Sequence, residues 1–261
     1  MQDWFKWARG EDTPEAELGS EVSGWKKYIH VSYDHKIIGI QYGLTSILVF
    51  MVAGLFALIF RTELAQPGLQ FLTPDGFNTL ISLHGIVNIG GILLGVGAMA
   101  NYLVPLMIGA NDMAFPRLNA FAYWINIPGI VLLLSTILLG GIDAGWTGYP
   151  PLSANLAKIG FAMFFLGVYL VGLSSILGAV NLITTIIRLR APGMTWFRMP
   201  IFVWSVLATS IISLTATQLI GLSFQLVLFD RIFGMDVCSP TQALNSPISQ
   251  NMSRFSVHPA F

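Results

Sequence analysis

The stretch TLISLHGIVNIGGILLGVGAMANYLVPLM, residues 79–107, contains no Asp, Glu, Lys or Arg. About twenty apolar residues are enough for a helix to cross a bilayer, so this run predicts a transmembrane helix. Four further long apolar runs are residues 37–60, 118–140, 156–187 and 200–229, of which only 156–187 contains a charged residue, Lys158. Frequent Gly, Ser and Thr indicate closely packed helices, whereas a β-barrel would show short alternating segments.

The sequence therefore predicts an all-α, polytopic membrane helix bundle with five complete transmembrane helices. The segment SQNMSRFSVHPAF, residues 249–261, reads as the start of a sixth helix. Composition agrees, because 54% of the 261 residues are hydrophobic and only 10% are charged, against about a quarter charged in soluble domains. The net charge of zero gives no reason to expect a nucleic-acid partner. One cysteine excludes an internal disulfide framework and a four-cysteine metal site.

Basic residues predict the orientation of the bundle. Loops rich in Lys and Arg face the cytoplasm, and such residues cluster before the first span, between spans two and three, and between spans four and five. They are Lys26, Lys27, Lys36, Arg117, Arg188, Arg190 and Arg198. The N-terminal segment, residues 1–33, and Asp112 are then cytoplasmic, and His84 lies toward the outer side.

His84 is the only histidine inside the five predicted spans, and glycines follow it in SLHGIVNIGG. Ionisable residues within a membrane are by default functional, and a buried imidazole is a ligand for metals and haem. The alternative is a histidine that is hydrogen-bonded to a neighbouring helix.

The segment NYLVPLMIGANDMAFPRLNA, residues 101–120, places one carboxylate, Asp112, among carboxamides at a membrane edge. Ser174, Gly178 and Asn181 share one face of the fourth span. This pattern predicts a polar, water-holding route; hydrogen bonding between helices is the alternative. The route residues are Asp112, Asn101, Asn119, Tyr42, Ser174, Ser175 and Asn181.

Several other polar or aromatic residues have a simpler interpretation as anchors at the membrane edge. They are Asp34, His35, Arg61, Glu63, Trp146 and Tyr149. His258, which precedes Pro259, is placed where it could bind a metal, but a single histidine is a weak signal.

The chain resembles subunit I of the haem–copper oxidases, which include cytochrome c oxidases and quinol oxidases. The resemblance covers residues 34–234 in the order of the family. Its matching segments are DHKIIGIQY (34–42), FRTELAQPG (60–68), HG (84–85), NYLVPLMIGANDMAFPRLNA (101–120), GWTGYPPLS (145–153), SSILGAVNLITTIIRLRAPGMTW (174–196), RMPIFVWS (198–205) and LFDRIFG (228–234).

The resemblance implies haem and copper sites. His84 corresponds to an axial ligand of the low-spin haem, for which haem A is expected, and Arg61 to the arginine at that haem's edge. Trp146 corresponds to the tryptophan near the propionates of the high-spin, oxygen-reducing haem, and Tyr149 is a further expected cofactor-binding residue. His258 corresponds to the first copper ligand, and Glu63 stands where some members have a structural calcium ligand.

The resemblance also implies that Asp112 is the entrance acid of the main proton-uptake route, with the other route residues along it. The implied partners are oxidase subunits II and III, the rest of subunit I, cytochrome c or quinol as electron donor, and the lipid bilayer. The expected location is the bacterial plasma membrane, ahead of the mitochondrial inner membrane or the thylakoid, with a cytoplasmic N-terminus.

Residues 34–261 then form a partial subunit I transmembrane domain, because the remaining metal ligands belong to later spans of the family. We expect this chain alone to be incomplete as a proton-pumping oxidase. Two positions depart from the family: Ala260 stands where some members have a glutamate, and Asn88 stands where a methionine is common. Three alternatives remain: a nitric oxide reductase relative, a non-catalytic truncated membrane scaffold, and an ion carrier that uses Asp112.

Overall fold

The computed structural model describes residues 24–142, 144–148 and 159–233. Within these residues it contains α-helices and two short 3₁₀ helices, Gly24–Tyr28 and Trp196–Arg198, and no strand. The five α-helices are α1 (His35–Glu63), α2 (Pro74–Ile108), α3 (Pro116–Ser135), α4 (Ile159–Arg188) and α5 (Ile201–Phe233). All five are long and apolar enough to cross a membrane. The predicted all-α bundle with five transmembrane helices is confirmed.

The third helix ends earlier than predicted, at Ser135 instead of residue 140. The N–H groups of residues 136–139 bond to carbonyls three residues back, so the last turn tightens. Gly140 and Gly141 follow with φ of 96° and 72°, and the Gly141 N–H donates to the Thr136 carbonyl. Glycine adopts this left-handed conformation without the usual steric penalty, so the Gly-Gly pair terminates the helix.

The chain divides into two compact units, and each helix contributes to both. Unit 1 contains the described residues of Met1–Leu48, Gly91–Ile127 and Gly172–Gln218. Unit 2 contains the described residues of Val49–Gly90, Pro128–Val171 and Leu219–Phe261. Unit 1 therefore holds the α2–α3 and α4–α5 connections, and unit 2 holds the α1–α2 and α3–α4 connections.

Unit 1 is held together by small residues on α1 and α2. A Cβ on Gly39 would lie 3.0 Å from the Cβ of Tyr102, and the Ser46 hydroxyl donates to the Gly91 carbonyl at 2.8 Å. Small residues allow such close approach of helix backbones. The apolar core of unit 1 joins α2, α4 and α5 and consists of Ala100, Val104, Ile108, Met113, Leu182, Ile186, Met199, Val203, Val206 and Leu207.

Unit 2 combines a close helix contact with an aromatic cluster. A Cβ on Gly167 of α4 would lie 2.9 Å from the carbonyl oxygen of Gly129 on α3, so these helices meet through glycine. Phe165 packs against Phe161, Phe164 and Phe224, with ring centroids 5.3 to 6.1 Å apart. The predicted start of a sixth helix, and residues Tyr149 and His258, lie outside the described residues.

Candidate functional site

His84 lies in the third turn of α2, in unit 2, and its side chain is half-buried. Its Nδ1 is 2.8 Å from the carbonyl oxygen of Ala53 on α1. A carbonyl only accepts, so the neutral imidazole donates from Nδ1 and carries its lone pair on Nε2. Histidines that bind metals almost always donate their other ring N–H to such a partner. The side chain therefore fits the role of a haem ligand through Nε2.

The surroundings of His84 are aromatic and closely packed on one side. Phe60 contacts the imidazole edge-to-face, with centroids 5.5 Å apart and an interplanar angle of 75°. A Cβ on Gly85 would lie 3.3 Å from Cδ1 of Trp146. The structure thus brings Trp146, at 49% exposure, against the helical turn that carries His84.

Arg61 and Glu63 lie at the end of α1, and their environments differ. Arg61 is exposed, whereas Glu63 is buried and its carboxylate accepts the N–H groups of Gln70, Phe71 and Leu72 at 2.7 to 3.0 Å. A carboxylate has about four acceptor positions, and backbone N–H groups occupy three of them here. The partial positive charge of these N–H groups repels a cation. Glu63 fixes the loop after α1 and does not fit a calcium ligand in this arrangement.

No cluster of three or more His, Cys, Asp or Glu side chains suited to a metal occurs in the part of the chain that the structure describes. His258 and Tyr149, predicted to lie near copper and haem, belong to segments outside that part. In unit 2, the structure therefore brings together His84 and Trp146 among the predicted cofactor residues.

In unit 1, Asp112 lies beside a histidine that the sequence interpretation placed only at the membrane edge. His35, the first residue of α1, is 2% exposed, and its Nδ1 is 3.2 Å from Oδ1 of Asp112. The Asp34 carboxylate is also near, at 3.7 Å from the same nitrogen. Residues 35 and 112 are far apart in the sequence, and no local pattern links them.

The loop that carries Asp112 is clamped by α4. The fully buried carboxamide of Asn181 accepts the Phe115 N–H at 2.9 Å and donates to the Phe115 carbonyl at 3.1 Å. The Thr185 hydroxyl oxygen accepts the Ala114 N–H at 2.9 Å. Asn181 thus lies beside the Asp112 loop, and both of its polar atoms bond to the backbone of that loop.

Ser174 belongs to a second polar group, between α3 and α4. Its hydroxyl donates to the Ala122 carbonyl at 2.6 Å and accepts from the Asn126 carboxamide. It also interacts with the phenol of Tyr42, which stacks edge-to-face on Tyr123 at 4.9 Å. Asn126, 2% exposed, was not singled out in the sequence, because its role depends on this contact with the distant residue Ser174.

Asn101 and Asn119 each keep one buried polar atom without a protein partner within the described residues. The Asn101 carboxamide donates to the Gly97 carbonyl at 2.8 Å, but its Oδ1 has no donor. The Nδ2 of Asn119, a residue that is 1% exposed, has no acceptor. Buried polar atoms are nearly always hydrogen-bonded, and ordered water fills this role where protein does not.

Ser175 faces away from this group and contacts α5. Its hydroxyl is 2.7 Å from the Ser213 hydroxyl, which is 3.4 Å from that of Thr217. The predicted route residues thus do not form one chain of direct hydrogen bonds. The sequence interpretation did not name Ser213 and Thr217. Their spacing of four residues, which puts both on one helix face, is the sequence signal that would have identified them.

Fold and site together define a class: a polytopic helical membrane protein with a carbonyl-oriented imidazole in one unit and an acid with buried carboxamides in the other. The sequence profile of the family "Cytochrome C and Quinol oxidase polypeptide I" matches residues 37–261. The chain belongs to this family.

Curated relatives are named cytochrome c oxidase subunit 1. The chain is 44% identical to that of Thermostichus vulcanus, over 95% of this chain and 46% of the relative. It is 45% identical to that of Synechocystis sp., over 90% and 43%, and 42% identical to that of Corynebacterium efficiens, over 96% and 43%. The chain thus spans slightly less than half the length of the curated relatives that it matches.

Proposed function

We propose that this chain is part of the catalytic subunit of a terminal respiratory oxidase, which reduces O2 to water with electrons from cytochrome c or a quinol and pumps protons. The observation that carries the proposal is His84, whose Nδ1 is fixed by the Ala53 carbonyl and whose Nε2 is left as the ligand atom. Family membership and the names of the relatives support the same reading.

In this proposal His84 holds the low-spin haem, with Arg61 at the edge of a haem A and Trp146 near the propionates of the high-spin haem. Tyr149 is a further proposed cofactor-binding residue, and His258 is the first copper ligand. When bound, the haems and copper supply the electron-transfer and O2-reducing chemistry. The chain's own contribution is to orient the imidazole, because the bond to Ala53 fixes both its tautomer and the direction of its ring.

The proposed proton-uptake route begins at Asp112. His35 is the nearest ionisable partner of this carboxylate, with its Nδ1 3.2 Å from Oδ1 of Asp112. Beyond them, Oδ1 of Asn101 and Nδ2 of Asn119 offer a buried acceptor and a buried donor to water. Water bound to such groups forms a hydrogen-bonded path that conducts protons without a fixed charge. Tyr42 and Ser174 continue the proposed route, whereas Asn181 borders it by holding the Asp112 loop and Ser175 turns to Ser213 on α5.

We further propose that the N-terminus is cytoplasmic and that the membrane is a bacterial plasma membrane. The basic residues support this orientation, because seven described Lys and Arg residues lie in the loops and helix ends of unit 1, whereas unit 2 has two, Arg61 and Arg231. Oxidase subunits II and III and the rest of subunit I are the proposed partners, and the family membership of the chain supports this proposal.

Oxygen consumption tests the oxidase activity. In membranes that contain the complete complex, His84→Ala should abolish cyanide-sensitive oxygen consumption. The matched control is His30→Ala, because His30 is exposed and its ring bonds only to the neighbouring Val31 carbonyl. Wild-type complex that consumes no oxygen with either cytochrome c or a quinol, although fully assembled, would refute the oxidase proposal.

Proton uptake tests the route. Asp112→Asn removes the titratable entrance group while keeping its shape, and should slow proton uptake during turnover at least tenfold. Asp75→Asn is the control, since Asp75 is an exposed carboxylate at the start of α2. Proton uptake that is undiminished in Asp112→Asn would exclude Asp112 as the entrance.

A further inference from the structure

Asn88 contacts the proposed haem ligand from one helical turn further along α2. Its Nδ2 is 3.2 Å from Nδ1 and 3.3 Å from Nε2 of His84, and both side chains are half-buried. The i, i+4 spacing puts the two side chains on one face of the helix. The carboxamide is therefore a direct neighbour of the imidazole within unit 2.

The near-equal distances fix how the carboxamide approaches the ring. The in-plane axes of the two ring nitrogens diverge, so a donor on one axis would be much further from the other nitrogen. The amide nitrogen of Asn88 therefore lies over the ring and not on the axis of either nitrogen. The Nδ1–H remains bonded to the Ala53 carbonyl, and the lone pair of Nε2 is not occupied by Asn88.

These two contacts act on the imidazole in opposite directions. The Ala53 carbonyl accepts the Nδ1–H and so increases the electron density of the ring, which favours oxidised iron. The amide N–H groups of Asn88 present the positive end of a dipole to the ring face, a weak donor contact. This contact withdraws electron density from the ring and favours reduced iron over oxidised iron.

We propose that Asn88 is a positioning residue that acts through the His84 imidazole and raises the reduction potential of the haem bound there. This inference rests on the proposed role of His84.

The test is a redox titration of the low-spin haem band in the complete complex. Asn88→Leu keeps the approximate shape and removes the donor, and should lower the reduction equilibrium constant about threefold. With 59 mV per tenfold change for one electron, this is a shift of about 28 mV to lower potential. Asn78→Leu is the matched control, since Asn78 is an exposed residue of the same helix, and it should not shift the potential.

Asn88→Ala provides a second variant, because it also removes the donor and is smaller than Leu. A purely structural role would change the intensity of the haem band or the thermal stability and leave the potential unmoved. An unchanged or raised potential in Asn88→Ala, with the band retained, overturns this inference. A band that survives His84→Ala overturns the proposed ligand role instead, so the two failures are distinguishable.

Discussion

Replacement of Asn181 by Leu should release the loop that carries Asp112. The Leu side chain has nearly the same volume but neither polar atom, so both bonds to Phe115 are lost. The Phe115 carbonyl keeps the N–H of Asn119 as a donor, whereas the Phe115 N–H is left without a partner. Leaving such a group unpaired costs about 1–3 kcal/mol, and the second bond contributes about 1 kcal/mol.

The expected loss of loop stability is therefore about 2–4 kcal/mol. At 1.4 kcal/mol per tenfold change, amide hydrogen exchange in the segment of residues 109–119 should accelerate about 30- to 700-fold. The assay is hydrogen exchange of the detergent-solubilised complex, followed on peptides from this segment.

Thr184→Ala is the matched control, on the same helix. The exposed Thr184 hydroxyl bonds only to the Val180 carbonyl of its own helix, so its removal should change stability by less than about 0.5 kcal/mol. Exchange in Asn181→Leu that is no faster than in Thr184→Ala would refute the clamp, and with it the account of how Asp112 is held.

Two further changes test the fold at other points of unit 2. Gly141→Ala places an alanine in the left-handed backbone conformation, which costs about 1–2 kcal/mol. The added Cβ also overlaps the side chain of Thr79. The thermal midpoint should therefore fall further than in Gly145→Ala, where φ is 73° but no atom lies within 4 Å; equal midpoints would contradict the overlap. Glu63→Gln weakens the bonds to the three N–H groups of the following loop, and limited proteolysis should cut that loop faster; an unchanged cleavage rate would argue against this anchoring role.

Hydrophobicity alone predicted the five helices, because a run without charges that is long enough to span a bilayer has few other stable conformations. The end of α3 was wrong because the residues after Ser135 are still apolar. There the backbone freedom of Gly140 and Gly141, and not hydropathy, decides where the helix stops.

The candidate sites were predictable where one residue stands out against its neighbours. His84 and Asp112 are ionisable groups in apolar surroundings, and sequence alone identified both. His35 and Asn126 were missed because their significance depends on contacts with distant residues, Asp112 and Ser174. Such pairings arise from helix packing and leave no periodic signal.

The polar residues of α4 do not all bond to the same neighbours. Ser174 and Asn181 both face α3 and the segment before it, as their shared face implied. Asn181, however, is committed to the backbone of Phe115, and Ser175 turns to Ser213 on α5. Hydrogen bonding between helices, the alternative that the sequence left open, therefore accounts for part of the predicted route.

The most direct test of the central claim is the reduced-minus-oxidised optical spectrum of the complex purified through a tag on this chain. We predict a low-spin haem band that is lost in His84→Ala and retained in His30→Ala. A colourless complex, or a band that His84→Ala leaves unchanged, would contradict the assignment of His84 as a haem ligand.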